Sequence, residues 1–259
     1  KTYCLTKLVL SLINDEKVLK PCDCYLISPT FFQNEVLHLL QIPEENIHTE
    51  TNDINKVILL LEEKTLNEIN IWKEIRETMT EQEYDEYYNE IYKIYLKNDD
   101  EIDLDDEALY HLEMNDYKRS QTYYNYVPHF MLILDDCFNS EVFNDTRKNR
   151  FKSFFIKHRH YNTSVILCTQ SFTNGGLQKP LRKNISQFIF YKYPMMEQKH
   201  IYEEVGTNFF DSFEEFNKVF NYCTQEKHSF ILLDNEPILE QNKVRRGFND
   251  IIIYSNNIL

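Results

Sequence analysis

The sequence predicts an α/β fold: a central, mostly parallel sheet flanked by helices, with a helical insertion. Three observations predict it. Residues 130–134 (Phe-Met-Leu-Ile-Leu) form a wholly apolar run without alternation, the pattern of a strand buried on both faces, and it stops abruptly at Asp135-Asp136. A second apolar, β-branched run over residues 164–168 ends in Thr169-Gln170. Two neighbouring strands therefore deliver polar side chains to one rim, where open α/β sheets bind ligands. Thirdly, helical patterns alternate with short strands stopped by turn residues. At 259 residues and 42% hydrophobic, the chain can bury one large core, and it is expected to form a single domain over residues 1–259.

The elements follow in order. Lys1-Thr2 opens a helix on which Leu5, Leu8, Val9, Leu12 and Ile13 share a face. Residues 23–29 read as a strand ended by Pro29. Residues 31–40 are expected to be helical with Val36, Leu37, Leu39 and Leu40 inward, and residues 47–49 to be extended. Residues 54–76 read as a long helix capped by Asp53. Thr80-x-x-Glu83 is a capping box opening another helix, along which Tyr84, Tyr87, Tyr88, Ile91, Ile94 and Tyr95 recur as a packing face. Residues 98–106 read as an acidic, solvated loop, and the whole stretch from about 60 to 126 as a helical insertion. Residues 143–160 are expected to form a helix that buries Phe151, Phe154, Phe155 and Ile156. A turn at 173–176, a strand at 187–191, helices at 195–205 and 209–220, a last strand at 229–234 and a polar tail around Arg245-Arg246-Gly247 complete the chain.

Charge is segregated. The net charge is −14, yet residues 147–196 contain no Asp or Glu and hold ten Lys and Arg. Such a segment suits a phosphate backbone or nucleotide phosphates, and Lys148, Arg150, Lys152, Lys179 and Lys183 are its candidate DNA contacts. The other reading is a solvated face paired with acids from elsewhere. Six scattered cysteines read as buried free thiols of a reducing compartment, not as a zinc site or disulfide frame. The apolar runs are short and mean hydropathy is −0.54, so neither a membrane span nor a signal peptide is expected.

Asp135-Asp136 and Thr169-Gln170 on one rim suggest a magnesium–nucleotide site, with Asp135 holding the metal through water. Asp also caps turns, so strand ends alone leave both readings open. Lys1-Thr2 at a helix start matches the tail of the phosphate-binding motif Gly-x-x-x-x-Gly-Lys-[Ser/Thr]. In that motif Lys reaches the β- and γ-phosphates and the hydroxyl binds Mg²⁺. As a dipeptide it also occurs by chance. The chain opens mid-pattern for the motif, without Met, which implies residues upstream.

Taken together, the Lys-Thr helix, a strand ending Ser28-Pro29, Asp135-Asp136, Arg159-His160 before a strand ending in Gln170, and Leu181-Arg182-Lys183-Asn184 before the next strand form a distinctive order. It resembles the genome-packaging ATPases of large double-stranded DNA viruses, the poxvirus-type branch of the FtsK–HerA superfamily. The likeness runs from residue 1 to about residue 201, outside the insertion. It implies a RecA-like P-loop NTPase of the ASCE type that binds ATP and Mg²⁺. Lys1 and Thr2 would end Walker A, and Thr2 and Asp135 would hold the metal. Asp136 would polarise the attacking water and Gln170 would sense the γ-phosphate. Arg159 or Arg182 would act as an arginine finger on a neighbouring subunit, worth roughly 10³-fold or more in rate. Further implications are a homo-oligomeric ring (pentamer or hexamer) around double-stranded DNA, capsid or portal partners, and a place in the host cytoplasm at the viral factory or in the virion. Asp136 is shorter than the Glu usual in the wider superfamily, and the glycine loop is not among these 259 residues. Another DNA motor or helicase of the superfamily, and a degenerate non-hydrolysing scaffold, are the rival readings. A hydrolase using Asp-Asp as general acid and base has no nucleophile–base pairing behind it.

Overall fold

The computed structural model describes residues 2–13, 20–97, 108, 129–137, 143, 150–172 and 178–252. They divide into two compact units. The first comprises residues 2–135 and 157–167, the second residues 136–156 and 168–252.

The first unit is the α/β part. Its strands β1 (Cys24–Ile27), β2 (Ile47–His48), β3 (Phe130–Asp135) and β4 (Thr163–Cys168) stand in the order β2-β1-β3-β4. β1 pairs in parallel with both β2 and β3, with Leu26 opposite Ile47 and Ile133. β3 and β4 begin side by side, because Phe130 N–H donates to Asn162 C=O (2.9 Å) and His129 Nε2 meets Ser164 Oγ at 3.0 Å. Every residue of β1 and β3 is buried, which is why both strands read as apolar runs without alternation.

Helix α1 (Thr2–Ile13) buries Leu5, Thr6 and Val9. Residues 31–40, expected as one α-helix, form two 3₁₀ turns, Phe31–Gln33 and Leu37–Leu40. In a 3₁₀ turn positions three apart eclipse, so Leu37 and Leu40 are buried while Leu39 is 58% exposed, against expectation. Helix α2 (Ile54–Thr78) buries Ile54, Val57, Ile58 and Leu61 at helical spacing. Asp53 does not cap it through its side chain; that carboxylate stands 3.6 Å from His48 Nδ1 instead. The capping box of α3 (Glu81–Lys97) forms: Thr80 N–H donates to Glu83 Oε2 at 2.7 Å and Glu83 N–H to Thr80 Oγ1 at 3.3 Å. Tyr84, Tyr88 and Ile91 are buried along α3, with Tyr84 packed on Ile75 of α2, whereas Ile94 is 41% exposed. The acidic loop at 98–106 lies outside the described residues, as does the turn at 173–176.

The second unit is built differently. β5 (Gln187–Phe190), β6 (Ile231–Asp234), β7 (Val244–Arg246) and β8 (Asp250–Ile251) form a separate antiparallel sheet in chain order. Its strands therefore do not extend the parallel sheet, and the supposed polar tail contains a strand. Arg245 sits in it because its guanidinium reaches the buried Asp234 carboxylate at 3.0 Å, while Arg246 meets Glu226 at 2.7 Å. Helix α4 (Arg150–Lys157) gives way to a 3₁₀ turn at His158, three residues before the expected end, and residues 144–149 of the expected helix lie outside the described residues; α4 buries Phe151, Phe154 and Phe155 but leaves Ile156 51% exposed. After it come α5 (Lys179–Arg182), α6 (Met195–Glu204) and α7 (Phe213–Cys223). Ser212 Oγ caps α7 by accepting from Glu215 N–H, so Phe209 and Phe210 precede that helix. They pack with Phe188, Phe190, Ile201, Phe216 and Phe220 in one core. A Cβ at Gly206 would lie 2.9 Å from Tyr202 Cδ2 and 3.2 Å from Phe216 Cδ2, so only glycine fits the approach of these rings.

Candidate functional site

β3, buried from end to end, closes on Asp135, and Asp136 follows it. In the first unit, Asp135 is only 4% exposed, and Thr2 Oγ1, at the start of α1, points to its Oδ2 at 3.4 Å. This exceeds the usual hydroxyl–carboxylate hydrogen-bond length of about 2.5–3.0 Å. The two oxygens would draw in to about 3 Å if they sat side by side on one octahedral magnesium ion. A hydroxyl and a carboxylate are hard oxygen donors of the kind that ion takes. Among the described residues no three His, Cys, Asp or Glu side chains cluster as a metal cage. Magnesium held mainly by phosphate and water needs only one or two carboxylates, so this donor set fits it.

In the second unit, Asp136 adopts φ 54°, a left-handed conformation that Asp tolerates because its short side chain bonds locally. Gln170 Nε2 donates to Asp136 Oδ1 at 2.6 Å in an exposed position, so both groups face solvent where a ligand could reach them. The backbone after Gln170 is fixed: Ser171 Oγ and Phe172 N–H both donate to Glu197 Oε1, at 2.9 and 2.7 Å.

Other predicted residues go elsewhere. Lys1 and Lys148 lie outside the described residues. Arg159 is exposed in the 3₁₀ turn His158–Tyr161 that precedes β4. It thus stands at the starting end of strands whose far end carries Asp135, on the order of 15–20 Å away at about 3.3 Å per residue. Arg182 is not presented to solvent as a finger would be. Its Nε and Nη2 bond Glu204 Oε2 at 2.8 and 2.6 Å, Nη1 donates to Phe172 C=O at 3.1 Å, and the guanidinium lies 4.7 Å from the Phe172 ring centroid. Arg150, Lys179 and Lys183 are exposed and Lys152 is half-buried. Of the six cysteines, only Cys24, Cys137 and Cys223 are buried; Cys4, Cys22 and Cys168 are half-buried.

Sequence reading missed Glu197 and Glu204. The signal for Glu197 was an acid in the first turn of a helix after Pro194, where it suits the helix dipole. It also missed two half-buried polar groups distant from the rim. His129 has its imidazole pKa lowered by burial and then by His158. Glu68 has its carboxyl raised to about 7 by burial, which outweighs Lys64 at 3.7 Å.

No protein-family model matches the chain. It is 41% identical over 75 residues to the uncharacterized protein B354L of African swine fever virus, Tick/Malawi isolate, and 41% over 73 residues to that of the Warthog/Namibia isolate. The matches cover 29% and 28% of this chain, and the chain spans only 20% of each relative's length. Among solved structures, the genome packaging NTPase B204 of Sulfolobus turreted icosahedral virus 2 in complex with ATP-gammaS is similar at TM-score 0.35 and 17% identity, over 56% of this chain and 64% of that one. Its AMPPCP complex gives TM-score 0.34 and 15% identity over 57% and 66%. Among the described residues no helix is long and apolar enough to cross a membrane.

Proposed function

We propose that the chain is a RecA-like (ASCE) P-loop ATPase that hydrolyses Mg-ATP to drive viral double-stranded DNA into a capsid, working as a homo-oligomeric ring. The observation that carries the reading is the approach of Thr2 Oγ1 to Asp135 Oδ2 at 3.4 Å, between residues far apart in sequence. In this reading Lys1 binds the β- and γ-phosphates, and the N-terminus of α1 supplies N–H donors to them. Thr2 and Asp135 hold magnesium, whose charge offsets that of the phosphates. Asp136 orients and polarises the attacking water, and Gln170, donating to it at 2.6 Å, senses the γ-phosphate. Phosphoryl transfer depends on positioning and charge neutralisation more than on covalent help, so this short set of groups suffices.

Of the two candidate fingers we assign the trans role to Arg159. It is exposed and stands at the opposite end of the strands from its own Asp135, whereas Arg182 is only partly exposed. Arg150, Lys152, Lys179 and Lys183 are assigned to the DNA backbone. Capsid or portal proteins are the further partners of this reading, at the viral factory or in the virion.

The test uses full-length protein. Wild type should bind and hydrolyse Mg-ATP, faster with double-stranded DNA. Asp136→Asn should retain nucleotide binding and lose at least about a hundredfold in turnover. A Lys179→Glu, Lys183→Glu variant should lose DNA stimulation and flatten its salt dependence. A wild-type protein that binds no Mg-nucleotide would remove the motor reading altogether. Strand separation without uptake would favour a helicase of the same chemistry.

A further inference from the structure

Gln170 is exposed just past the end of β4, and an exposed glutamine samples many rotamers unless its backbone is held. Here the next two residues are gripped from both ends of one helix. At the first turn of α6, Glu197 Oε1 accepts from Ser171 Oγ (2.9 Å) and Phe172 N–H (2.7 Å). At its last turn, Glu204 holds Arg182, which donates to Phe172 C=O at 3.1 Å and covers the Phe172 ring. The ring itself is 7% exposed and packs edge-on against Phe190 of β5, centroids 5.5 Å apart. Thus the N–H, the C=O and the side chain of a single residue are all fixed, two positions after Gln170. Phe172 serves as an anchor, and α6 holds it.

We propose that Glu197 is a positioning residue: through Ser171 and Phe172 it keeps the Gln170 amide against Asp136, with the Glu204–Arg182 pair as the second jaw of the clamp. The role rests on the nucleotide reading above for its consequence in turnover, but the clamp itself is a property of the fold. Arg182 ends the short helix that Lys179 begins, and Lys183 follows it, so a phosphate backbone bound to these lysines would pull on the same anchor. The clamp therefore gives DNA engagement a direct mechanical route to the residue that senses the γ-phosphate. Arg182 becomes part of that route rather than a finger.

Two measurements on the full-length protein test this. In the first, hydrogen exchange is followed over the peptide containing Gln170, Ser171 and Phe172, without nucleotide. Losing a charge-assisted bond should speed exchange at Phe172 by about tenfold to a hundredfold in Glu197→Ala. Glu197→Gln, which keeps an acceptor oxygen, should restore most of the protection. Unchanged exchange in Glu197→Ala overturns the clamp, whatever the protein's activity. The second measurement is a double-mutant cycle on ATP turnover. Glu197→Ala should lower kcat by about tenfold, with KM for ATP nearly unchanged, and should add nothing in a Gln170→Ala background. Losses that multiply in the double variant mean that Glu197 does not act through Gln170, and the assignment falls. If wild type neither binds nor hydrolyses Mg-ATP, the nucleotide reading fails on its own, and the exchange measurement still decides the clamp.

Discussion

Replacing Asp135 by Asn separates a ligand-binding carboxylate from a structural one. Asn keeps the shape of the side chain and one acceptor oxygen, so the 4% exposed site is neither emptied nor overfilled. The Thr2 contact at 3.4 Å is too long to contribute much to folding. A hydrogen bond to a charged group contributes about 1.5–3 kcal/mol at ideal length, so this stretched contact should account for about 1 kcal/mol or less. For a chain of this size that is a Tm change of no more than roughly 2–4 °C. The cost in catalysis is of another order. A carboxylate that holds the cation against developing charge contributes several kcal/mol to the transition state, so turnover should fall by about 10²–10³-fold. Phosphate release with Mg-ATP, paired with thermal melting followed by circular dichroism, reads both quantities on the same preparations. Turnover within about threefold of wild type would refute the assignment of Asp135 to the metal. A melting temperature lowered by roughly 10 °C or more would show the carboxylate to be structural and its approach to Thr2 to be a packing contact.

Two further predictions concern other parts of the molecule. Arg159→Ala should cut turnover by tenfold or more with nucleotide affinity largely kept, and mixing it with Asp136→Asn subunits should restore part of the rate. No recovery on mixing would end the trans assignment. Glu68 has its carboxyl raised from 4.5 to about 7, so the fold favours its protonated form. Its contribution to stability is therefore complete below about pH 4.5 and is lost as pH rises through about 7, a difference of about 3 kcal/mol. Glu68→Gln should flatten the fall in Tm between pH 5 and pH 8; an unaltered slope would assign that fall to other groups.

Parts of the fold were legible because short-range physics fixes them. The all-apolar run of β3, the capping box at Thr80 and Glu83, and the apolar face of α1 each depend on neighbours within a few residues. Where competition among local geometries is close, the reading failed. A stretch with leucines at 37, 39 and 40 suits an α-helix and a 3₁₀ turn almost equally, and packing chose the latter. The antiparallel sheet was half-visible in Gln187-Phe188-Ile189-Phe190, whose Phe residues alternate and are buried on one face. β7 was hidden because Arg245-Arg246 reads as solvated, and only Asp234 and Glu226, distant in sequence, make a strand of it.

By itself, the sequence determined that carboxylates and amides would stand at the ends of buried strands, because an apolar run without alternation fixes both the element and where its polar terminus emerges. Only the tertiary structure decided what those termini meet. Thr2 and Asp135 are separated by 133 residues, Asp136 and Gln170 by 34, and Arg182 and Glu204 by 22. No periodicity encodes such pairings, since each depends on how whole elements pack. The same packing engaged Arg182 with Glu204 and left Arg159 exposed, a difference between two arginines that one-dimensional order does not contain.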